Sequence, residues 1–599
     1  MTQRFRTTLT QSARPHSERV GWVFVLMWIF VLTAAVCWPL FIPHKAAAGA
    51  PVGPPMFLLR DMVIPNHPPL TDAALGLGPA AARAVPQDTA LWALGYFVDA
   101  SHWVRFAMVG ACIVGGLAAA ELARRLTHSS VARPGNGIVR MTPSLASQLI
   151  APTMLLWNPF VVERLLQGQW SLVIAALLLP AVVLAVRMGS VCWRTSAIAA
   201  AGLTPTGALL AGITGVVAAR NNRDRGWIVA TTAVVSSPWL VASLLNPGAA
   251  GSSDAAGAAA FAARAEAHVG TLGSLLGLGG IWNKQAVPLT REVGFSAVMV
   301  LMLLALMALG FRRVWHSTEQ WRGPIITGAV AIIAVALAAT TPGIVALGRA
   351  LEHIPGAGLL RDAQKWIALA LPAYVILAAA GAEHLARRAR SAANTGGQWL
   401  AVGVSALIVI AAVPTLPADV APLRPIPSWA GWSAVSGVVA LDDDGVAVLP
   451  AGSYRIIDGR PVLDPATKIL PAPVANSGEL IVSGQAVAGE GATSVERTLL
   501  AGVESPAEVD SALQHLRNEG IGWVLVENSP GNFGDSAELV AALDPVYADP
   551  DLQLYHVPGV GAPRPQPSQG AYIAAWMAFA LWTVCLLAGV VRALLPRRG

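Results

Sequence analysis

The chain has 599 residues, of which 55% are hydrophobic and only 12% charged, and its mean hydropathy is +0.57. Soluble globular proteins are about a quarter charged. A soluble enzyme, a disordered chain and a disulfide-stapled secreted domain are therefore excluded, which leaves a polytopic membrane protein. The net charge of +6 does not point to nucleic acid. Arg4 and Arg6, Arg124 and Arg125, Arg312 and Arg313, and Arg597 and Arg598 flank apolar runs, which is how membrane orientation is encoded. Cys37, Cys112 and Cys585 lie within apolar segments and Cys192 sits between two arginines, so no disulfide is expected.

A membrane-crossing helix needs about 20 apolar residues, because hydrocarbon cannot hydrogen-bond a bare backbone. The first such run, 20–42, is too long for a signal-peptide core and lacks a small-residue cleavage pattern. It opens a series of ten predicted spans: 20–42, 103–122, 141–157, 170–187, 227–246, 293–311, 323–341, 366–386, 398–416 and 570–592. The run 196–219 is different. Arg194 precedes it, Arg220, Arg223 and Arg225 follow it, and Leu203-Thr204-Pro205-Thr206-Gly207 breaks it in the middle. A re-entrant hairpin of two half-helices keeps all these cations on one side; a single kinked helix is the alternative. With the basic tail 1–19 inside, the loops 43–102, 158–169, 247–292 and 342–365 fall outside, as does 417–569. The segment 570–599 then ends inside. The expected fold is an α-helical polytopic membrane domain over 20–416, about ten spans plus the hairpin, joined to a small external α/β domain.

Within 417–569, strand-like pieces (Val446 to Pro450, Glu479 to Val482, Gly522 to Glu527, Leu552 to Val557) alternate with helical ones. Ser505-Pro506-Ala507-Glu508 reads as a helix start, with Ser as N-cap, Pro in the first turn and Glu at the third position. No metal-ligand spacing, phosphate-binding loop or dinucleotide fingerprint occurs there. The domain is expected to bind or shield rather than react.

Charges are scarce, so those in external loops carry information, since orientation does not require them there. In the first external loop, Asp61 and Asp72 are candidate general bases, or ligands for a divalent cation; an Arg60–Asp61 pair and a helix cap at Asp72 are the structural alternatives. Glu163 and Arg164, flanked by Trp157 and Trp170, suit a sugar or phosphate contact or a loop-stabilising ion pair. The segment 261–268 reads as an amphipathic surface helix carrying His268, and the glycine-rich stretch that follows carries Trp282, suited to stacking on a sugar. Arg361 and Lys365 share one face if a helix starts near 361, where two cations would make a lipid-phosphate site. Head-group snorkelling is the alternative for either cation alone.

These features together resemble the GT-C superfamily of membrane glycosyltransferases, in particular its actinobacterial branch of arabinofuranosyl- and mannosyltransferases. The residues that carry the resemblance are Asp61 in the acidic first loop, Asn158-Pro159-Phe160 with Glu163-Arg164, the 261–268 segment, and Arg361-Asp362 with Lys365 opening a span. The resemblance implies a polyprenyl-phosphate sugar as donor, an envelope glycan or glycolipid as acceptor, and a first-loop acid as base, here Asp61. The family often has two closely spaced acids in that loop, whereas Asp61 and Asp72 are eleven apart. Two other readings stay open: a transporter of a lipid-linked precursor, and a non-catalytic scaffold whose external domain binds glycan or protein.

Overall fold

The computed structural model of the chain describes residues 16–44, 52–78, 81–128, 145–246, 253–317, 321–390, 395–475, 480–482, 485–487, 494–503, 505–528, 536–560 and 566–595. Arg4, Arg6, Arg14, Arg597 and Arg598, on which the inward placement of the termini rests, lie outside the described residues. The fold is mostly helical. Among the described residues, seven helices are long and apolar enough to cross a membrane: Val20–Phe41, Ala100–Leu126, Leu145–Leu166, Trp170–Met188, Phe295–His316, Ala363–Ala389 and Gln569–Leu594. The number rises to nine if each of two bent pairs counts as one span.

Those pairs show where hydropathy alone stops. Asn222–Val235 and Ser237–Leu245 meet at 57°, and Arg322–Ala338 meets Thr341–His353 at 91°. At the sharper bend the Thr340 hydroxyl accepts from the Gly343 N–H (3.2 Å), with Pro342 in the first turn, so a new helix starts there. The expected span 398–416 is the shorter helix Thr395–Ile410, followed by turns around Pro414.

The broken run folds as two helices, Val191–Ala201 and Pro205–Ala218, and Thr204 caps the second. Arg194 just inside the first helix pairs with Asp224 beyond the second (3.5 Å). Arg220 donates to the Arg187 carbonyl. At the break, the Leu203 carbonyl accepts from the Gln87 N–H (3.2 Å). Both feet of the pair therefore stand at one end of the bundle and its apex at the other, the hairpin shape that the basic flanks predict.

The carboxy-proximal region is built on a five-stranded sheet. Strands β1 (Val52–Leu59) and β2 (Met62–Ile64) belong to the first loop; β3 (Ile426–Trp429) follows the bundle; β4 (Gly445–Leu449), β5 (Tyr454–Ile457), β6 (Arg460–Leu463), β7 (Val474–Ala475), β8 (Leu480–Val482), β9 (Gln485–Val487), β10 (Ile521–Glu527), β11 (Asp544–Ala548) and β12 (Leu552–His556) complete the set. The large sheet has the order β11-β12-β10-β4-β7, with β10, β4 and β7 parallel and β12 and β11 antiparallel. Alternation sorts its side chains. Ala447, Leu449, Val524 and Val526 pack under the helix Pro506–Asn518, and Val446, Val448, Trp523 and Leu525 face Trp432, Val435 and Val439. The predicted capping box at Ser505 and Glu508 is present.

This α/β unit is not a separate body. β1 pairs antiparallel with β3, some 370 residues away by sequence number, giving a three-stranded sheet β2-β1-β3 that stitches the first loop to the end of the bundle. Single cysteines replacing Val191 and Asn222 are expected to react with an impermeant thiol reagent from the same side of oriented vesicles. Labelling from opposite sides would mean one kinked crossing.

Candidate functional site

Asp61 occupies the tip of the β1–β2 hairpin, where Leu59 pairs with Met62 and leaves Arg60-Asp61 as the turn. Arg60 has φ 47°, a left-handed backbone that costs a non-glycine residue about 1–2 kcal/mol. It is held there from several directions. Its N–H donates to the Pro461 carbonyl (2.8 Å), its carbonyl accepts from Leu463 N–H (2.9 Å), and its guanidinium donates to the carbonyls of Leu166 and of Gln285 (3.0 Å for the latter). Arg60 is therefore occupied with carbonyls, not with a hydrogen bond to Asp61.

The partners of Asp61 come from two distant places. The stretch Asn158 to Trp170 supplies the first. Buried Asn158 donates to the carbonyls of Met154 and Leu155 (3.1 and 2.9 Å) and caps the next helix through Val161 N–H (3.1 Å). That helix, Pro159–Leu166, ends in a turn at Gly168 with φ 86°. The turn brings Gln167 and Gln169 to the hairpin tip: the Asp61 N–H donates to the Gln167 carbonyl (3.1 Å), Gln167 Nε2 donates to Oδ1 (3.3 Å), and Gln169 Nε2 donates to Oδ2 (3.0 Å). A β-carbon on Gly168 would lie 2.5 Å from the Leu59 carbonyl and 2.9 Å from the Asp61 nitrogen, so only glycine permits the approach. The second place is β5, where Tyr454 donates its phenol to Oδ1 at 2.7 Å. Burial, with Asp61 beside it, pushes the Tyr454 phenol well above its ordinary range, so it remains a donor. Among the described residues, Oδ1 thus accepts two hydrogen bonds and Oδ2 one, which leaves Oδ2 with a lone pair for an incoming proton.

Gln169 also faces the cations. Its Oε1 accepts from Arg164 Nη1 at 2.7 Å. Arg164 is completely buried and pairs through both Nη atoms with Asp362 (Nη2 to Oδ1, 2.9 Å) and through Nη2 with Gln364. Burial alone would raise the Asp362 carboxyl; Arg164, helped by Lys365 and Arg361, outweighs it and holds the group below the usual carboxylate range. Arg164 is therefore an organiser with both Nη groups engaged, not a cation waiting for a ligand.

Arg361 and Lys365 do not share a helical face. The chain enters a 3-10 helix only at Ala363, which runs to Ala370, so Arg361 precedes it. Arg361 instead lies over the Phe261 ring, 4.6 Å from its centroid. Trp282 meets the other side of this arrangement edge-on to Phe261 (4.7 Å, 78°). Lys365 stands one 3-10 turn after Asp362. Among the described residues it has no hydrogen-bond or ion-pair partner, although it lies in the field of Asp362, Arg164, Arg83 and Arg361.

Of the remaining predicted residues, Glu163 points away from the tip. It accepts from the Ile281 N–H (3.1 Å) and from Gln364 (3.4 Å), beside Glu266, which pairs with Arg291 at 2.5 Å. Glu163 and Arg164 are not paired with each other. Asp72 opens the short helix Asp72–Leu75, whose cap is Thr71, and its carboxylate accepts from Tyr572 at 2.6 Å, outside the Asp61 cluster. His268 is exposed on a left-handed turn (φ 66°), also outside it. The expected surface helix over 261–268 is not formed: Ala256–Ala260 is helical, but Arg264 N–H donates to the Gly280 carbonyl (3.0 Å) and Glu266 N–H to Ser274 (2.8 Å), so the chain runs irregularly along the 280 loop. Sequence reasoning missed Tyr454, Gln167, Gln169 and Gln364. The two glutamines flanking Gly168 between apolar helices were a readable signal. Tyr454 gave none.

Next to Gln169, Trp170 lines an apolar cavity of about 940 Å³ between the helices Ala100–His128, Trp170–Met188, Val191–Ala201 and Gln569–Leu594. Among the described residues, no three His, Cys, Asp or Glu side chains gather as a metal site. No family model and no curated protein matches the chain.

Two stability outcomes follow from this geometry. Asp362→Asn strips the buried Arg164 of its counter-charge and is expected to cost about 3–5 kcal/mol, read as a lower thermal midpoint in detergent. Gly168→Ala, which adds both strain and a collision, is expected to cost about 2 kcal/mol by the same measurement.

Proposed function

We propose that the protein is a GT-C type inverting glycosyltransferase of the cell membrane. It transfers a sugar from a polyprenyl-phosphate donor to an envelope glycan or glycolipid on the outer face, with both termini inside. One observation carries the reading. Among the described residues, a carboxylate with one oxygen still open, Asp61, and an ammonium without a hydrogen-bond or ion-pair partner, Lys365, belong to one polar cluster joined through Gln169, Arg164 and Asp362. An apolar cavity suited to a lipid begins beside that cluster.

In this reading the acceptor hydroxyl gives its proton to Asp61 Oδ2 as its oxygen attacks the anomeric carbon. The bond from that carbon to the phosphate oxygen breaks on the opposite face, and the electron pair leaves with the phosphate. Lys365 neutralises the developing charge, and Arg361 and Arg83 add to the local positive field. Tyr454 and the two glutamines keep the carboxylate oriented. Trp282 offers an aromatic face near Asn283, which donates to Gln167 at 2.8 Å and so adjoins the base. Asp72 and His268 have no part in this chemistry, and Glu163 supports the network from behind.

The test is transfer by the full chain in nanodiscs, with labelled polyprenyl-phosphate sugars and an envelope glycan acceptor. Asp61→Asn is expected to abolish transfer while retaining donor binding by native mass spectrometry. Lys365→Met is expected to lower the rate about 100-fold, equivalent to about 3 kcal/mol of lost transition-state stabilisation. Normal turnover by Asp61→Asn would refute the assignment of the base. An inert wild-type chain whose cellular role depends only on 417–569 would favour the scaffold reading.

A further inference from the structure

The hairpin β5–β6 bridges the first loop and the large sheet. It forms a two-stranded sheet of its own and joins no ladder of the large one. On one side Ile457 and Val462 pack with Met56, Leu58, Val63 and Ile426 of the first-loop sheet. On the other, Arg455 donates from Nε to Oε2 of Glu527, the last residue of β10. Arg455 Nη1 donates to the carbonyls of Gly452 (2.8 Å) and Tyr454 (3.1 Å). The placement of Tyr454, the donor to Asp61, therefore depends on how Arg455 is held.

By polarity Glu527 does not belong in its row. Trp523, Leu525 and Glu527 alternate onto one face, and the first two join the core around Trp432 and Leu552. Glu527 stands opposite Leu552 on β12, and its neighbour Val526 stands opposite Leu449 on β4. The turn before Leu552 carries Asp549 and Asp551, so no cation comes from that side. Lys468, on the short helix Ala466–Ile469, is engaged with Asp88 of the first loop. Arg455 is what remains, and Glu527 shares it with Asp464 (Nη2 to Oδ2, 3.0 Å). All three side chains are at most 2% exposed. Two ionised acids against one guanidinium would leave a negative charge in excess, which a dry site strongly disfavours. Glu527 Oε1 has no hydrogen-bond partner among the described residues. The Glu527 carboxyl also lies within hydrogen-bonding reach of the Asp464 carboxyl, and two ionised carboxylates, both acceptors only, cannot bond to each other. One proton resolves both difficulties.

We propose that Glu527 and Asp464 hold one proton between them and that this proton clamps β5 to the large sheet, which makes Glu527 a positioning residue for Asp61, acting through Arg455 and Tyr454. When hydroxide takes the proton, water and a second carboxylate result. The site then carries an uncompensated charge, water enters between hairpin and sheet, and β5 is released together with the Tyr454 phenol. Burial, with Asp464 beside it, outweighs Arg455 and pushes the Glu527 carboxyl well above its ordinary range. A carboxyl raised in the closed state stabilises that state fully below the ordinary carboxylate range. The stabilisation is lost as the pH climbs to the raised value. The role toward Asp61 rests on the reading of that residue as the base; the proton clamp itself does not.

The clamp is tested by hydrogen exchange of the segment 453–463 in the detergent-solubilised full chain, corrected for the intrinsic pH dependence of exchange. In the wild type, opening is expected to grow about tenfold per pH unit between the ordinary and the raised value, the slope of one proton, and then to level off. Glu527→Gln keeps a donor for Asp464 and an acceptor for Arg455 but cannot ionise, so it is expected to flatten the profile. Asp464→Asn gives the same readout if Glu527→Gln does not assemble. A flat wild-type profile, or an unchanged slope in the assembled variant, overturns the clamp. The positioning role is read from transfer, where the alkaline fall in rate is expected to be about tenfold smaller in Glu527→Gln than in the wild type. Equal falls overturn the link to Asp61. A wild-type chain inert in transfer at every pH refutes the glycosyltransferase reading, and the exchange profile still decides the clamp.

Discussion

The arrangement depends on keeping one guanidinium charged where no water reaches it. Arg164 is fully buried at the junction of two apolar helices, and an isolated charge there would be prohibitive. It is tolerated because Asp362 meets it with both oxygens while Gln169 and Gln364 take its remaining Nη capacity. These partners belong to segments almost 200 residues apart. Satisfying this one charge therefore fixes the end of the helix Pro159–Leu166 against the entry of the span Ala363–Ala389. Gln169, bonded on one side to Arg164 and on the other to Asp61, passes that order on to the acid.

Asp61 is then located by three independent parts of the chain: its own hairpin, the Gln167-Gly168-Gln169 turn, and β5 of the α/β unit. The strained Arg60 is the mark of this convergence. A left-handed arginine persists only where its surroundings fix it from all sides, and here the strands, the turn and the 285 loop do so. The α/β unit thereby becomes part of the site. Its internal order reinforces this, since Arg455, next to Tyr454, is buried between Asp464 (3.0 Å) and Glu527 and anchors β5 to the large sheet.

What was legible in the sequence follows from the range of the interactions. Most of the apolar helices, the break at Thr204-Pro205, the capping box at Ser505 and the strands β4, β10 and β12 of the large sheet depend on neighbours a few residues away and could be read, whereas β7 and β11 were not. Asp61, Arg164 and Lys365 stood out because charge is rare in an apolar chain. Their mutual geometry did not, because register at 361–365 depends on a switch to 3-10 winding that periodicity does not announce. The 261–268 segment has helical composition, yet hydrogen bonds to the 280 loop and a buried Glu266–Arg291 pair override that propensity. Tyr454 reaches Asp61 across 393 positions. Docking of the β5–β6 hairpin on Arg60 makes that contact, and nothing local encodes it.

Lys365 differs from the buried arginines Arg60, Arg164, Arg291 and Arg455. Arg60 is satisfied by carbonyls, and Arg164, Arg291 and Arg455 each have a carboxylate within bonding distance. The ammonium lies in the field of one carboxylate, Asp362, and of three arginines, so a neutral residue of similar length would relieve the arginine repulsion and lose the Asp362 attraction. Residues that break a stabilising pattern without a compensating contact concentrate where function requires them. In the proposed reading an anion from outside the chain is the missing partner, carried on a lipid tail that enters the apolar cavity beginning at Trp170. The same reading assigns both features to one amphiphile: a phosphate that balances Lys365 and a hydrocarbon chain that fills the space between the helices.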